Sequence, residues 1–244
     1  MTTEPTFIPS ASVILLREQQ TKLEVLLLKK NANITFGGSW VFPGGRTDEQ
    51  DQILDAHDDG LSYAAQRKTV VRECYEETGL NINARSLLPV ALWKTPVAAK
   101  KRFAATFFIY DATEITQDVK IDQGEIVDAR WSDINQAIAE HNRKDIMLAG
   151  PAFVMLSQLS TMTELSLAWS HFVKQPFTHY EPKIQRTEDG AICLYRGDDC
   201  YPLLNHDGTS ACEDLLGKIQ KARRQHRLYM HKGKAWSYIN NSEQ

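Results

Sequence analysis

The chain has 244 residues, 42% of them hydrophobic, enough to bury a core and to form one domain with an elaboration. A net charge of −3 argues against general nucleic-acid or membrane-surface binding, and no stretch approaches the roughly 18 consecutive apolar residues of a bilayer crossing. The four cysteines, Cys74, Cys193, Cys200 and Cys212, lack C-x-x-C spacing and read as free thiols; with no leader pattern and no peroxisomal address in Ser242-Glu243-Gln244, the expected location is cytoplasmic.

Residues 11–16 and 23–29 are apolar, β-branched runs joined by a polar connection at 18–21, the pattern of a hairpin. A short strand at 40–42 is broken by Pro43-Gly44-Gly45. A long helix is expected over 62–78, ended by Gly79, which suits the left-handed residue that closes a helix. Further strands are expected at 87–93, 103–110 and 126–131, with a helix at 134–142; this order fits a mixed sheet between helices. Beyond it, 152–160 and 164–172 read as helices. Pro176 and Pro182 bracket a break, a hairpin follows around Glu188-Asp189-Gly190, and 227–230 pairs with 235–239. The expected division is 1–150 as one domain and 151–244 as a C-terminal α+β elaboration packed on it.

The run Arg72-Glu73-Cys74-Tyr75-Glu76-Glu77-Thr78-Gly79-Leu80 carries the most chemistry. At 100° per residue Glu73, Glu76 and Glu77 gather on one helix face. Ala64, Val71, Cys74, Tyr75 and Thr78 are expected to line the opposite, packed side. Carboxylates so close repel unless neutralised, and a hard divalent cation such as Mg²⁺ or Mn²⁺ neutralises them well. An arbitrary E-x-x-E-E is most simply a solvated acidic face; the upstream Trp40-Val41-Phe42-Pro43-Gly44-Gly45 favours the metal reading.

Together these two segments resemble the Nudix hydrolases, whose signature reads G-x5-E-x7-R-E-U-x-E-E-x-G-U. Gly45, Arg72, Glu73, Glu76, Glu77, Gly79 and Leu80 match it, with Cys74 in the first aliphatic position. The resemblance implies an α/β/α sandwich with a mixed β-sheet. It also implies hydrolysis of a nucleoside diphosphate linked to another moiety. The signature allows 13 residues between its glycine and its arginine, but 26 lie between Gly45 and Arg72. Counted back from Arg72, the signature's first glutamate falls on Ala64; it is absent, or replaced by an acid of the insert such as Asp48, Asp51 or Asp59. Those acids read as a solvated surface loop. An interrupted signature resembles the branch typified by peroxisomal-type coenzyme A diphosphatases.

By the same resemblance, Glu73, Glu76 and Glu77 would hold the metal, with Glu76 and Glu77 catalytic. Arg72 would orient them through its planar fork. Glu125, before the strand at 126–131, is the candidate general base outside the helix, set against an ordinary exposed acid. Gly44 and Gly45 permit close approach of metal or phosphate, and Lys29, Lys30 and Arg46 flank the site. Phe36, Trp40, Trp93 and Phe103 either stack on a base or belong to the core. The basic stretch 218–234 reads as a solvated helix face, with a grip on a substrate's ribose phosphate or on RNA as the functional alternatives. The expected ligand is a small-molecule nucleotide conjugate: coenzyme A first, then ADP-ribose, NADH or a nucleotide sugar. A non-catalytic nucleotide sensor is the rival class. Nucleic acid and membrane are not expected partners, and a homodimer is allowed.

Overall fold

The computed structural model of the chain describes residues 6–20, 22–53, 60–97, 99, 101–121 and 123–242. They fall into two units: Ile8–Leu92 with Ala104–Thr178, and Met1–Phe7 and Trp93–Phe103 with His179–Gln244.

The first unit is built on a hairpin of β1 (Ile8–Gln19) and β2 (Lys22–Lys30), antiparallel with Leu16 opposite Val25. Both strands are apolar without alternation because both faces are covered. Val13, Ile14, Leu15 and Leu16, and likewise Val25, Leu26, Leu27 and Leu28, are fully buried. Each such side chain contributes about 1.5–3 kcal/mol. The sheet runs β3 (Trp40–Val41), β2, β1, β6 (Phe103–Asp111), β5 (Leu88–Lys94), with β4 (Gly44–Arg46) on β1 and β7 (Ile126–Asp133) on β2.

Val13, Leu15, Leu26 and Leu28 pack with Val70, Cys74 and Leu80 of the segment that includes α1 (Ala64–Thr78). The intervening residues of β1 and β2 point to the other face, by the two-residue period of a strand. There α2 (Ile134–Arg143) packs on β2 and β7, α3 (Gly150–Leu159) on α2, and α4 (Leu165–Lys174) on β1. The result is the expected α/β/α sandwich.

Helix α1 starts at Ala64 because Tyr63 is left-handed, at φ 59°. Ala64, Cys74 and Thr78 are buried as expected, but Tyr75 is 57% exposed and belongs to the solvent side. Buried Arg67 staples the helix to the chain after it, donating to the carbonyls of Ala84 at 2.6 Å and Leu87 at 2.8 Å. Gly79 closes the helix at φ 71°, its N–H donating to Tyr75 O at 2.8 Å.

Strand β8 (Thr178–Tyr180) carries the chain across the division. The second unit contains an antiparallel sheet ordered β12 (Ser237–Asn240), β11 (His226–His231), β10 (Gly190–Leu194), β9 (Lys183–Thr187). Ile192 and Leu194 pack on Leu204 and on Leu215 and Ile219 of α5 (Leu215–Lys221).

The basic stretch 218–234 is therefore not one helix face. It runs from the end of α5 through a turn into β11, and Arg227 is fully buried. Its guanidinium forks onto Asp198, Nε to Oδ2 at 2.7 Å and Nη2 to Oδ1 at 2.8 Å. Arg224 pairs with Asp199 at 2.8 Å. All four cysteines are free. Among the described residues no helix is long and apolar enough to cross a membrane.

Candidate active site

The site is assembled where β4 passes under α1. The turn before β4 is tied to β1: Val13 N–H and Ser12 Oγ both donate to Pro43 O, at 2.9 and 3.0 Å. Pairing of Gly44 with Ser12 and Gly45 with Ala11 then fixes the strand. Gly44 N–H donates to Glu77 Oε2 at 2.8 Å. A Cβ on Gly45 would lie 2.2 Å from Glu73 Oε1, so the missing side chain is what lets the strand lie against that carboxylate.

Arg72 organises the acids. Its Nη1 donates to Glu73 Oε1 at 2.9 Å and to Glu76 Oε2 at 3.1 Å, and its Nη2 to Arg46 O at 3.0 Å. On the other side the guanidinium forks onto Asp51, Nε to Oδ1 at 3.1 Å and Nη2 to Oδ2 at 2.8 Å. Asp51 Oδ2 also accepts Asp48 N–H at 3.0 Å and Thr69 Oγ1 at 3.2 Å.

Burial raises the Asp51 carboxyl, but the hydrogen bonds from Arg72 and Asp48 outweigh it and hold the group below its ordinary value. Asp51 in turn drives the Arg72 guanidinium further up. This corrects the reading of the insert's acids as a solvated loop: Asp51 is 4% exposed and takes the arginine's fork. Asp48 sits beside it as a half-exposed partner of Arg46, and Asp59 lies outside the described residues. The signal that singles out Asp51 among the three candidate acids was simple. Counted forward from Gly45, the sixth position is Asp51, so the insertion follows the acid and does not precede it.

The three helix glutamates differ in environment. Glu77 is 5% exposed, and burial pushes its carboxyl up to about 7 against the opposing pull of Lys30 and the Gly44 N–H. Burial likewise raises Glu73, with Arg72 opposing. Glu76 is more than half exposed and pairs with Arg72. Lys30 Nζ stands 3.6 Å from both Glu77 Oε1 and Glu125 Oε2. Asn31 holds the Glu125 backbone there, its N–H donating to Glu125 O at 2.8 Å and its Nδ2 to Gly124 O at 3.1 Å.

Thus Arg72, Glu73, Glu76, Glu77, Glu125, Gly44 and Gly45 converge. Arg46 contributes its carbonyl to Arg72 and directs its side chain to Asp48. It is Lys30 that meets the acids; Lys29 lies opposite Trp40 and Asp128 in the sheet. Of the aromatic candidates, Trp40 is buried beneath the Arg130 guanidinium and Trp93 is buried against Tyr180. Phe36 is 53% exposed.

Among the described residues no three or more His, Cys, Asp or Glu groups stand together in a geometry that holds a metal ion by itself. The donors still suit Mg²⁺ or Mn²⁺: hard carboxylate oxygens whose pKa values burial raises, so that a cation would favour their charged form. Mg²⁺ keeps several waters and is usually held by one or two carboxylates plus substrate phosphates, so a closed protein cage is not required.

A sheet of this order, crossed by an acidic helix above a Gly-Gly strand, is the fold of the Nudix hydrolases. A solved NUDIX hydrolase from Alicyclobacillus acidocaldarius matches it with a TM-score of 0.59 over 70% of this chain and 99% of that one, at 17% identity. The NUDIX domain model matches residues 6–149, and the chain belongs to that family. Among its relatives is acyl-coenzyme A diphosphatase NUDT19 of Xenopus laevis, 29% identical over 161 residues. That match covers 61% of this chain and 42% of the relative's length.

Proposed function

We propose that the chain hydrolyses the diphosphate linkage of a nucleoside diphosphate conjugate, with Mg²⁺ or Mn²⁺, and that the conjugate is coenzyme A or an acyl-coenzyme A. The observation that carries the hydrolytic reading is the pair Glu73 and Glu77, one pressed on Gly45 and the other bonded by Gly44 N–H. Helix α1 thereby presents two carboxylates in fixed positions beside the β4 backbone, which a phosphate can approach. Similarity to a relative named as an acyl-coenzyme A diphosphatase supports the substrate class.

Glu73 and Glu77 would hold the cation, with Glu76 at the exposed margin. When bound, the cation cancels phosphate charge and lowers the pKa of a coordinated water. Arg72 keeps Glu73 and Glu76 oriented, and Asp51 keeps Arg72 in place. Glu125, 67% exposed at its side chain, is free of the burial that holds Glu77 and can accept the proton of an attacking water at its carboxylate. Lys30, between the two, limits the repulsion of Glu125 and Glu77. Arg46, 66% exposed at its side chain, can leave Asp48 for a substrate phosphate.

A nucleotide-sensing module without turnover is the weaker reading. All three helix glutamates and Arg72 are present, and Asp51 fills the place of the first signature glutamate. The test is turnover of coenzyme A, acetyl-coenzyme A, ADP-ribose, NADH and a nucleotide sugar with Mg²⁺, then Mn²⁺. Preference for the coenzyme A compounds is expected. Preference for another conjugate removes the substrate assignment, and nucleotide binding without turnover favours the sensor.

A further inference from the structure

The second unit holds a concentration of positive charge that the hydrolytic reading does not use. Glu181 is a partly buried carboxylate whose Oε2 takes Arg196 Nη2 at 2.7 Å and whose Oε1 lies 3.5 Å from Lys94 Nζ. Two more cations stand beside this pair. Lys183 Nζ donates to Tyr201 O at 3.0 Å and lies 4.1 Å from the centre of the Tyr201 ring, while Tyr201 Oη donates to Glu181 O at 3.0 Å. Arg102 stacks on the Phe7 ring at 4.2 Å, and Lys94 Nζ approaches the same ring at 5.2 Å.

His206 lies within electrostatic reach of Glu181, Lys183, Arg102 and Arg196 together. Glu181 is thus committed to Lys94 and Arg196, with Lys183 and His206 within its electrostatic reach and Arg102 within reach of His206.

The decisive feature is Arg102. Its Nε and Nη1 are shut off from solvent and have no hydrogen-bond partner among the described residues. Buried donors are nearly always satisfied, and a guanidinium held over an aromatic ring with donors unanswered is suited to an oxyanion. Lys183 Nζ, bonded to a carbonyl and a ring but, among the described residues, to no carboxylate in an ion pair, has the same sense: burial and Arg196 lower its pKa and Glu181 only partly restores it. An incoming dianion would supply acceptors to Arg102 and charge to Lys183 at once.

We propose that Arg102, Lys183 and Arg196, with Lys94 and His206 at the margin, form a binding site for a phosphate dianion, either inorganic phosphate or the phosphomonoester of a nucleotide. The site stands on the second unit alone and does not depend on the substrate assignment above. Glu181 acts in it as an internal competitor that holds Arg196 and Lys94 in place while the site is empty.

The test is calorimetric titration of the full chain, without added metal and at constant ionic strength, with inorganic phosphate and separately with adenosine 3′,5′-bisphosphate. Binding of both is expected if phosphate alone suffices, and binding of the bisphosphate alone if a nucleotide is the source. In either case Arg102→Gln and Lys183→Gln should each weaken binding about tenfold or more, equivalent to about 1.4 kcal/mol. Lys218→Gln, outside the cluster, should leave it unchanged. Glu181→Gln should tighten binding several-fold, a gain that a purely structural role for these residues does not produce. Absence of binding by both ligands overturns the proposal, as does binding that both Arg102→Gln and Lys183→Gln leave unaltered. Should Arg102→Gln fail to fold, Lys183→Gln and Glu181→Gln decide the matter by their opposite signs.

Discussion

Asp51 and Arg72 meet as a two-pronged ion pair, Nε to Oδ1 at 3.1 Å and Nη2 to Oδ2 at 2.8 Å, and the same guanidinium reaches Glu73 and Glu76. One residue of an interrupted signature thereby sets the orientation of two helix acids. Asp51→Ala should lower stability by about 1–3 kcal/mol, because it leaves the arginine's fork unanswered. It should also reduce kcat about 10–100-fold through loss of orientation. Denaturant titration and steady-state kinetics check the two effects, and an unchanged kcat would separate Asp51 from the site.

Gly45→Ala tests the close approach of β4. The new methyl would meet the Glu73 carboxylate, the far end of a flexible side chain, so Glu73 should swing away while the fold persists. A loss of activity of about 100-fold is expected for a displacement of about an ångström. Circular dichroism should remain that of the parent chain.

The second unit rests on Asp198 and Arg227, both fully buried, with Asp198 also accepting His226 N–H and Cys200 N–H at 2.9 Å each. Arg227→Ala strands the aspartate in the interior and should cost about 3–5 kcal/mol. Arg227→Ala combined with Asp198→Asn should be less damaging than the two losses added together, which a double-mutant cycle in urea would measure.

His141 adds an acid-sensitive contribution to the stability of the first unit. It is buried, its Nδ1 accepts Leu148 N–H at 2.9 Å, and burial pushes its pKa from 6.5 down to about 4. Above pH 6.5 it is neutral folded and unfolded, so its contribution is intact. Between 6.5 and 4 only the unfolded chain takes the proton, and stability falls as pH falls. His141→Asn, which can still accept the Leu148 N–H, should flatten the pH dependence of the urea midpoint in that window.

Much of the first unit was legible in the sequence. The unbroken apolar runs of β1 and β2 announce strands buried on both faces, and the Gly79 stop is local backbone chemistry. Tyr75 was misplaced because helical periodicity gives a face but not how far a neighbouring strand extends across it. Asp51 stood as one of three possible replacements and was not singled out, because the count ran back from Arg72, across the insertion that displaces it. The basic stretch 218–234 was misread for a different reason. The partner of Arg227 lies 29 residues earlier, in a turn that no periodicity in the stretch itself reveals. The Arg102 cluster likewise joins Lys94, Glu181 and Arg196 across the chain, and its charge excess is visible only once they are folded together.

The central claim is that the buried carboxylate of Glu77 serves metal-dependent hydrolysis. The most direct measurement compares Mg²⁺-dependent hydrolysis of coenzyme A by the parent chain and by Glu77→Gln, with the fold of each checked by circular dichroism. Turnover by the parent and a drop of about 1,000-fold or more in kcat for the folded variant are predicted, the size of effect seen when a preorganised transition-state contact is removed. Equal turnover by the two would contradict it.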